Sequence, residues 1–519
     1  MLKEGTSRDP ALLRLADAVI LPGFPGREPP DWVRRRLADG LAGVVLFSRN
    51  IGDLEQVARL TAALRAERPD AIVGIDEESG EVTRLEAATG SSRPGNYALG
   101  VVDDVALTEE LARDLGRTLA EVGVTIDFAP AADVNSNPDN PVIGLRSFGA
   151  DPRLVARHTA AWIRGLQSAG VAACAKHFPG HGDTAVDSHL GVPRVAGSRE
   201  DLAEVELLPF RAAIEEGVAA IMTGHLVVTA YDDTHPATLS PKILGDLLRH
   251  ELRFDGPVIT DGIEMAAVAD RYGIAGAAAR AIAAGADGIC VGGENDDEEV
   301  VERIRTAIAG AVAEGVLPEE RLAEAAGRMR RLAARPVPAP AAPGARGAAG
   351  TAADVPGGVP IGLHAARRAI RVTRNDPAAP LPLPAPPHVI EMSPLLSLAT
   401  DRHTPWGVAA PLGELMPGTT VTRLAEEPGG PLPGAAELDA ALAEAAGRPL
   451  VIVVRYAERH RWLADAVARL LAARPDAIVV EMGLPGRTDL GAAHIVTHGS
   501  ARVCGQAAAE VLSGVGASG

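Results

Sequence analysis

The chain has 519 residues, of which 47% are hydrophobic and only 3% aromatic, so its cores must be built mainly from Ala, Val and Leu. This length suits two domains rather than one. A formal charge of −18 without a block of Lys and Arg argues against a nucleic-acid partner. The three cysteines are far apart and form neither a disulfide framework nor a CxxC metal motif; they are Cys174, Cys290 and Cys504.

The amino-terminal residues MLKEGTSRDP lack the apolar run of a signal peptide. No stretch of the chain reaches the roughly 18 apolar residues of a membrane-spanning helix. The nearest candidate, AGAAARAIAAGADGICVGG, contains charged residues and glycines that predict a helix, a turn and a buried strand. We therefore expect a cytoplasmic protein that does not contact a membrane.

Eight short apolar runs alternate with longer segments that carry apolar residues at helical spacing. The runs are AVILPG from Ala18, GVVLF from Gly43, IVGID from Ile72, TIDFAP from Thr125, ACAKHF from Ala173, AIMTGH from Ala220, VITDG from Val258 and DGICVGG from Asp287. Continuous apolar runs suit strands that are buried on both faces of a parallel sheet. Eight strand–helix units predict an α/β fold of the (β/α)8 barrel type. A doubly wound open sheet is the alternative, but no GxGxxG follows the first run.

A segment rich in Pro, Ala and Gly covers residues 335–360 and predicts a linker, because such a composition cannot bury a core. Beyond it, HVIEMS, PLVIVVRY and AIVVEMG predict strands, while RWLADAVARLLAARPD and SARVCGQAAAEVLSG predict helices. We therefore predict a catalytic barrel over 1–334, a linker over 335–360 and a smaller α/β sandwich domain over 361–519.

Polar residues follow most of the predicted barrel strands at their carboxyl ends, which is where such barrels carry their functional side chains. In chain order these residues are Asp76, Arg84, Asp133, Arg146, Lys176, His177, His225 and Asp261. A lone Asp before a helix is often only a helix cap. So many strands ending in this way predict a shared polar pocket.

The segment KHFPGHGDTAVDSH, residues 176–189, crowds three histidines and two aspartates together. A zinc site is one interpretation, with ligands from His177, His181, Asp183, Asp187 and His189. The first predicted strand contributes no histidine, however, whereas barrel metallohydrolases usually collect ligands from several strands. A solvated loop is a second interpretation of this segment. We expect the protein to need neither a metal nor a cofactor.

Proton transfer is the third interpretation of this segment. A carboxylate at Asp187 can fix the tautomer of His189 and favour its charged form. His189 could then donate a proton to a leaving group near neutral pH, while Asp261 across the barrel mouth acts as nucleophile. A proton donor on a loop opposite a carboxylate at a strand end is the arrangement that a retaining glycosidase needs.

Residues 176–189 also resemble the signature of glycoside hydrolase family 3, in its β-N-acetylglucosaminidase branch. The segments LFSRNI, GIDEESGEVTRL, FAPAADVN, VIGLRSFGADP, MTGHLVV, PATLS and ITDGIEM are similar to blocks of that family, in the same order, over most of 41–293. The resemblance implies a (β/α)8 or closely related barrel that acts on a carbohydrate.

The resemblance also implies roles for individual residues. It makes Asp261 the catalytic nucleophile, His189 the acid/base and Asp187 its partner in a dyad. The residues that it assigns to sugar binding are Asp76, Lys176, His177 and Arg146, and those that match blocks around the sugar site are Arg84, Asp133 and His225. In some relatives a second domain supplies the acid/base, whereas here the Asp-x-His segment already contains one.

One block departs from the pattern D-Q-E-G-G-R-V-x-R that is frequent in the family. Here it reads DEESGEVTR, with Glu77, Ser79 and Glu81 in place of Gln, Gly and Arg. A related subgroup with acidic residues in this block includes members that accept glucosides. Ser79 would strain the backbone if its position required a positive φ.

The sequence therefore predicts a retaining, exo-acting β-N-acetylglucosaminidase (β-N-acetylhexosaminidase) that forms a covalent glycosyl-aspartate and acts on cell-wall or chitin-derived fragments. A β-glucosidase of the same family is one alternative. A phosphorylase that uses phosphate and releases N-acetylglucosamine 1-phosphate or glucose 1-phosphate is another, because a neutral imidazole base does not repel phosphate. A barrel that binds sugar without catalysis is the alternative from another class.

Overall fold

The computed structural model describes residues 9–189, 191–293, 295–336, 354–355, 358–397 and 399–515. Contacts divide the chain into two compact units. The first unit consists of Met1–Glu78, Val105–Ile143 and Gly149–Gly350, and the second of Ser79–Asp104, Gly144–Phe148 and Thr351–Gly519. Two short segments from the predicted barrel region therefore belong to the second unit. Most of the predicted linker lies outside the described residues, and the boundaries 1–334, 335–360 and 361–519 stay a prediction.

Eight parallel strands form the centre of the first unit. In chain order they are Ile20–Pro22, Gly43–Leu46, Ile72–Ile75, Ile126–Asp127, Ala172–Phe178, Ala220–Thr223, Val258–Thr260 and Ile289–Val291. The second to seventh strands pair in chain order, the eighth pairs with the first, and a parallel bridge between Ile259 and Gly288 links the seventh to the eighth. This curled sheet is a TIM-like barrel, so all eight predicted strands and the predicted barrel fold are confirmed.

Helices alternate with these strands. Those of the first unit are Pro10–Asp17, Asp31–Asp39, Leu54–Glu67, Val105–Glu121, Pro152–Ser168, Arg199–Glu204, Leu207–Glu215, Ala266–Tyr272, Ile274–Ala284, Glu298–Ala313 and Glu319–Ala333, with a π-helical segment Lys242–Glu251 and 3-10 turns Ser48–Asn50 and Ala237–Leu239. A short parallel pair, Arg194–Val195 with Val227–Val228, lies outside the barrel ladder. Within the described ranges, no helix has both the length and the apolar character needed to cross a membrane.

The helix Pro152–Ser168 shows how the sequence builds these elements. Asp151 caps its first turn by accepting a hydrogen bond from the amide of Arg153, and a proline at the first position suits the helical φ. Apolar residues at helical spacing, Trp162 and Leu166 among them, are buried on one face. The helix therefore buries that face in the first unit and leaves its polar face outward.

The second unit contains a six-stranded sheet in the order Arg371–Arg374, Ala493–Val496, Ile478–Glu481, Leu450–Val454, His388–Ser393 and Thr420–Ala425. All neighbours are parallel except the first pair. The helices of this unit are Asn96–Val102, Ile361–Ala369, Ala409–Leu415, Ala435–Glu444, Arg461–Ala473 and Arg502–Ser513, with a 3-10 turn Gly144–Arg146 and an antiparallel pair Asp354–Val355 with Val359–Pro360. Two buried apolar clusters involve opposite faces of the sheet. The predicted α/β sandwich is confirmed.

Candidate active site

The carboxylate of Asp261 follows the seventh barrel strand and lies among histidines. Burial alone would raise its pKa, but the imidazoles of His177, His225 and His189 hold that pKa well below its ordinary value. The amide of Gly262 also donates a hydrogen bond to Asp261 Oδ1 at 2.8 Å. The structure thus gathers these histidines around a carboxylate that is ionised at neutral pH, as a nucleophile requires.

Asp187 and His189 form a hydrogen-bonded pair on the loop after the fifth strand. His189 Nδ1 lies 2.7 Å from Asp187 Oδ1, and the amide of His189 donates to the same oxygen at 2.9 Å. Burial would raise the pKa of Asp187, but its hydrogen bonds and the nearby His189 charge hold it below its ordinary value. The side chain of His189 is 27% exposed and that of Asp187 only 6%. The imidazole is accessible, while the carboxylate that orients it is buried.

Lys176 is buried between two carboxylates that follow the third strand. Its Nζ lies 2.5 Å from Asp76 Oδ1 and 2.7 Å from Glu78 Oε1. A buried ammonium is costly to leave unpaired, so each carboxylate stabilises it. Asp76 keeps 23% of its side chain exposed, whereas Glu78 is buried. Glu78 was not among the predicted binding residues, although it stands two positions after Asp76.

Asp133 organises the first part of the histidine-rich loop. Its Oδ2 lies 2.7 Å from His177 Nδ1, and its Oδ1 accepts from the amides of His177 at 3.2 Å and His181 at 2.7 Å. Burial would raise the pKa of Asp133, but the His177 charge and these hydrogen bonds keep it below its ordinary value. Asp133 is 0% exposed. In this structure it orients His177 from behind, through contacts within the protein.

His181 has a structural environment. Burial lowers its pKa to about 4, so it is neutral near pH 7. Its Nδ1 lies 2.6 Å from Thr184 Oγ1 and its Nε2 3.2 Å from Ser188 Oγ. These hydroxyls tie the loop to itself, so His181 holds the shape of the segment that carries Asp187.

The loop also packs closely against the segment that follows the fourth strand. A Cβ atom on Gly182 would lie 1.6 Å from the carbonyl oxygen of Val134, so only glycine fits there. Asn140 Nδ2 donates to the carbonyls of His181 at 2.8 Å and Gly182 at 3.0 Å. Sequence reasoning missed Asn140, because nothing in the NPDNP turn shows which distant backbone its amide will reach.

His225, like Asp133, is enclosed by protein partners. It is 0% exposed, and its Nδ1 and Nε2 contact Thr238 Oγ1 at 2.8 Å and the Gly262 carbonyl at 2.9 Å. Burial lowers its pKa, against the opposing effect of the Asp261 carboxylate. Its predicted contact with sugar stays a prediction, and both ring nitrogens already have partners within the protein.

Arg84 and Arg146 lie in segments of the second unit, Ser79–Asp104 and Gly144–Phe148. Arg84 Nη2 donates to the carbonyl of Ala399 at 3.2 Å, and the carbonyl of Arg146 accepts from Asn96 Nδ2 at 2.7 Å. The other eight predicted site residues belong to the first unit. The sequence order of the strands gave no sign that the chain passes between units at these two points.

Two buried carboxyl groups near the predicted site were missed. Asp127, in the fourth strand, accepts from the amide of Glu77 at 2.9 Å, and burial raises its pKa well above the ordinary value. Glu264 accepts from the amides of Gly292 at 3.0 Å and Gly293 at 2.5 Å, and burial raises its pKa as well. Both lie inside sequence motifs, TIDFAP and ITDGIEM, but their polar partners are far away in sequence.

The zinc interpretation of the loop required several of its side chains to converge. In the part of the chain that the structure describes, no three His, Cys, Asp or Glu side chains form a group that could hold a metal ion. The Nδ1 atoms of His177, His181 and His189 instead face three different partners.

Comparison with known proteins assigns the chain to a family. Residues 27–332 match the glycosyl hydrolase family 3 N terminal domain. A solved glycoside hydrolase family 3 beta-N-acetylglucosaminidase from Paenibacillus sp. is 33% identical, with a TM-score of 0.83 over 97% of this chain and 96% of that one.

Two curated relatives match over part of their length. Beta-hexosaminidase A of Pseudoalteromonas piscicida is 34% identical over 318 residues, which are 56% of this chain and 53% of the relative. Beta-hexosaminidase LpqI of Mycobacterium tuberculosis is 42% identical over 221 residues, which are 41% of this chain and 56% of the relative. The chain thus spans about half the length of these curated relatives. On the family match and the full-length structural similarity together, the chain belongs to glycosyl hydrolase family 3.

Proposed function

We propose that this protein is a retaining, exo-acting β-N-acetylglucosaminidase that uses Asp261 as nucleophile and the Asp187–His189 pair as acid/base. The observation that carries the proposal is the 2.7 Å contact between His189 Nδ1 and the buried Asp187 carboxylate, together with the electrostatic effect of His189 on Asp261. An oriented imidazole near an ionised carboxylate provides a proton donor and a nucleophile for one glycosidic bond. The names of the similar proteins support the choice of N-acetylglucosaminide as substrate.

In the first step the Asp261 carboxylate attacks the anomeric carbon, and the bond from that carbon to the leaving oxygen breaks. Because Nδ1 of His189 bonds to Asp187, the proton for the leaving oxygen comes from Nε2. The Asp187 carboxylate stabilises the imidazolium before transfer and keeps the ring oriented after it. The product of this step is a glycosyl ester of Asp261 and a released aglycone.

In the second step His189 Nε2 accepts a proton from water as that water attacks the anomeric carbon. The ester bond breaks, the Asp261 carboxylate returns, and the sugar leaves with its original anomeric configuration. Both steps use one carboxylate and one imidazole of the chain, with no cofactor in the scheme. The hydrogen bond from the amide of Gly262, which also lowers the pKa of Asp261, makes its carboxylate a better leaving group in this step.

Recognition of the terminal sugar is assigned to side chains around Lys176. The carboxylate of Asp76 is partly exposed and can accept hydrogen bonds from sugar hydroxyls. Lys176 holds that carboxylate in place, and Asp133 does the same for the ring of His177. The family resemblance alone supports the proposed roles in sugar binding of Arg84, Arg146 and His225.

The test is hydrolysis of a panel of nitrophenyl β-glycosides, N-acetylglucosaminide and glucoside included, in phosphate and in a phosphate-free buffer. We expect the N-acetylglucosaminide to be hydrolysed fastest in both buffers, with the β-anomer of the sugar formed first. Addition of EDTA should not lower the activity. Formation of a sugar 1-phosphate would establish a phosphorylase, and preference for the glucoside a β-glucosidase. A reversible loss of activity with EDTA would support the zinc interpretation. Binding of a glycoside without turnover would support a barrel that binds sugar without catalysis.

A further inference from the structure

A buried hydroxyl, that of Thr238, lies behind the proposed nucleophile. Thr238 Oγ1 is 2.8 Å from His225 Nδ1 and 2.7 Å from Thr223 Oγ1. On the far side of the ring, His225 Nε2 lies 2.9 Å from the carbonyl oxygen of Gly262, which directly follows Asp261. Thr223, His225 and Thr238 are all 0% exposed. A continuous chain of hydrogen bonds therefore runs from two buried threonines to the backbone beside Asp261.

The donors in this chain can be assigned from its chemistry. The carbonyl of Gly262 can only accept, so His225 Nε2 carries a proton. Burial lowers the pKa of His225, so the ring is neutral at neutral pH and Nδ1 is an acceptor. The hydroxyl of Thr238 then donates to Nδ1, and that of Thr223 donates to Thr238 Oγ1.

The same hydroxyl also suits a protonated ring. His225 Nδ1–H would then donate to Thr238 Oγ1, and the hydroxyl proton would turn to the carbonyl of Gly224, which lies at 3.1 Å. The hydrogen bond from His225 Nε2–H to the Gly262 carbonyl is present in both protonation states of the His225 ring. Because the amide of Gly262 donates to Asp261 Oδ1 at 2.8 Å, restraint of Gly262 is restraint of the carboxylate.

We propose that Thr238 is a positioning residue, whose hydroxyl holds the His225 ring so that Nε2–H restrains Gly262 and thereby orients the Asp261 carboxylate. This inference rests on the proposed function, in which Asp261 is the nucleophile. Thr238 itself is buried and acts only through His225. It lies in the PATLS motif.

The substitution Thr238→Val removes the hydroxyl with little change in side-chain shape. We expect kcat for a nitrophenyl β-N-acetylglucosaminide to fall about 10- to 100-fold with KM within about twofold, since small displacements of reacting groups cost this much. Thr238→Ser should restore kcat. Thr223→Val is the matched control, because it removes a hydroxyl of the same network that does not contact the ring.

A second readout does not depend on activity. In protein labelled with ¹⁵N-histidine, the His225 signals, identified by their absence in His225→Gln, should show a neutral ring with a slowly exchanging Nε2–H. In Thr238→Val the Nδ1 signal should move to that of a nitrogen without a hydrogen-bond donor, and the Nε2–H should exchange faster. If Thr238→Val does not fold, Thr238→Ala takes its place.

The two readouts separate the possible failures. Unchanged His225 signals in the variant would overturn the inference, whatever the activity. Changed signals with an unchanged kcat would overturn the positioning role. If the parent protein hydrolyses no glycoside, the proposed function fails, while the signals still test whether Thr238 holds the ring.

Discussion

The carboxylate of Glu81 accepts two hydrogen bonds from Ser500, from its amide at 2.6 Å and from its hydroxyl at 2.9 Å, and both residues are buried in the second unit. These residues stand 419 positions apart in sequence. Glu81 is one of the residues in which this chain departs from the family pattern. The departure therefore has a structural partner, which fixes the segment Ser79–Asp104 to the residues just before the helix Arg502–Ser513.

Removal of this contact should destabilise the second unit. Glu81→Ala leaves the amide of Ser500 buried without an acceptor, which costs about 1–3 kcal/mol. Glu81→Gln keeps a side-chain oxygen in place and should cost clearly less. Urea unfolding of both variants measures the difference. Equal stability of Glu81→Ala and the parent would show that the contact contributes nothing.

Ser79 occupies a backbone conformation that favours glycine. Its φ is +66°, and its buried Oγ has no hydrogen-bond partner among the residues that the structure describes. The strain anticipated for this position is thus present. Ser79→Gly removes both penalties and should raise the free energy of unfolding by about 1 kcal/mol.

The neighbouring Gly80 provides the opposite control for Ser79→Gly. It has the same φ of +66°, and a Cβ there would lie 2.5 Å from Gly95 Cα. Gly80→Ala should therefore destabilise the protein in the same urea experiment. A Ser79→Gly variant that is no more stable than the parent would contradict the strain argument.

Glu206 should make stability depend on pH. Burial raises its pKa to about 7, whereas an unfolded glutamate titrates near pH 4. The folded state then holds a proton that the unfolded state has lost, so this stabilising contribution is complete below about pH 4 and disappears as the pH rises through about 7.

Glu206→Gln removes that dependence because the amide does not ionise. At pH 8 the variant should be more stable than the parent by about 1–3 kcal/mol, and at pH 4 the two should be similar. Urea unfolding at both pH values is the measurement, and Glu200→Gln, at an exposed position in the preceding helix, is the control. A constant difference between variant and parent across this range would contradict the assignment.

The acid/base role of His189 predicts a dependence on the leaving group. His189→Ala should slow hydrolysis of a disaccharide by about 10²–10⁴-fold. It should slow the attack of Asp261 on a nitrophenyl glycoside much less, because nitrophenolate departs without a proton. Azide, which attacks without a base, should restore turnover of the nitrophenyl substrate and yield a β-glycosyl azide. Asp187→Ala should show a weaker form of the same pattern with a shifted pH optimum. Equal losses on both substrates without azide rescue would move the role to another residue.

The strands of the barrel could be predicted because each is a short buried apolar run, and the loop 176–189 could be recognised because its motif is contiguous. Three strands of the six-stranded sheet in the second unit were missed. Arg371–Arg374 is exposed throughout and carries two arginines, Thr420–Ala425 lies at the sheet edge and is largely exposed, and Ala493–Val496 contains a buried histidine, His494. None of the three offers an apolar run.

The composition of the site was only partly accessible from sequence for a related reason. Asp76 and Asp261 could be identified because each follows a predicted strand. The same criterion could not show that both ring nitrogens of His225 form hydrogen bonds within the protein. Nor could it show that Arg84 lies in the second unit, since that depends on contacts with residues hundreds of positions later. Long-range packing decides these points, and no local pattern encodes it.

Glycosylation of Asp261 is tested most directly by trapping the ester. In His189→Ala, a nitrophenyl β-N-acetylglucosaminide should still react, while hydrolysis of the intermediate is slow because no base activates water. Mass spectrometry of the quenched variant should find one N-acetylhexosaminyl group on the peptide that contains Asp261, and none in the double variant with Asp261→Asn. An adduct on another residue, or a burst of nitrophenol with no adduct at all, would contradict the account.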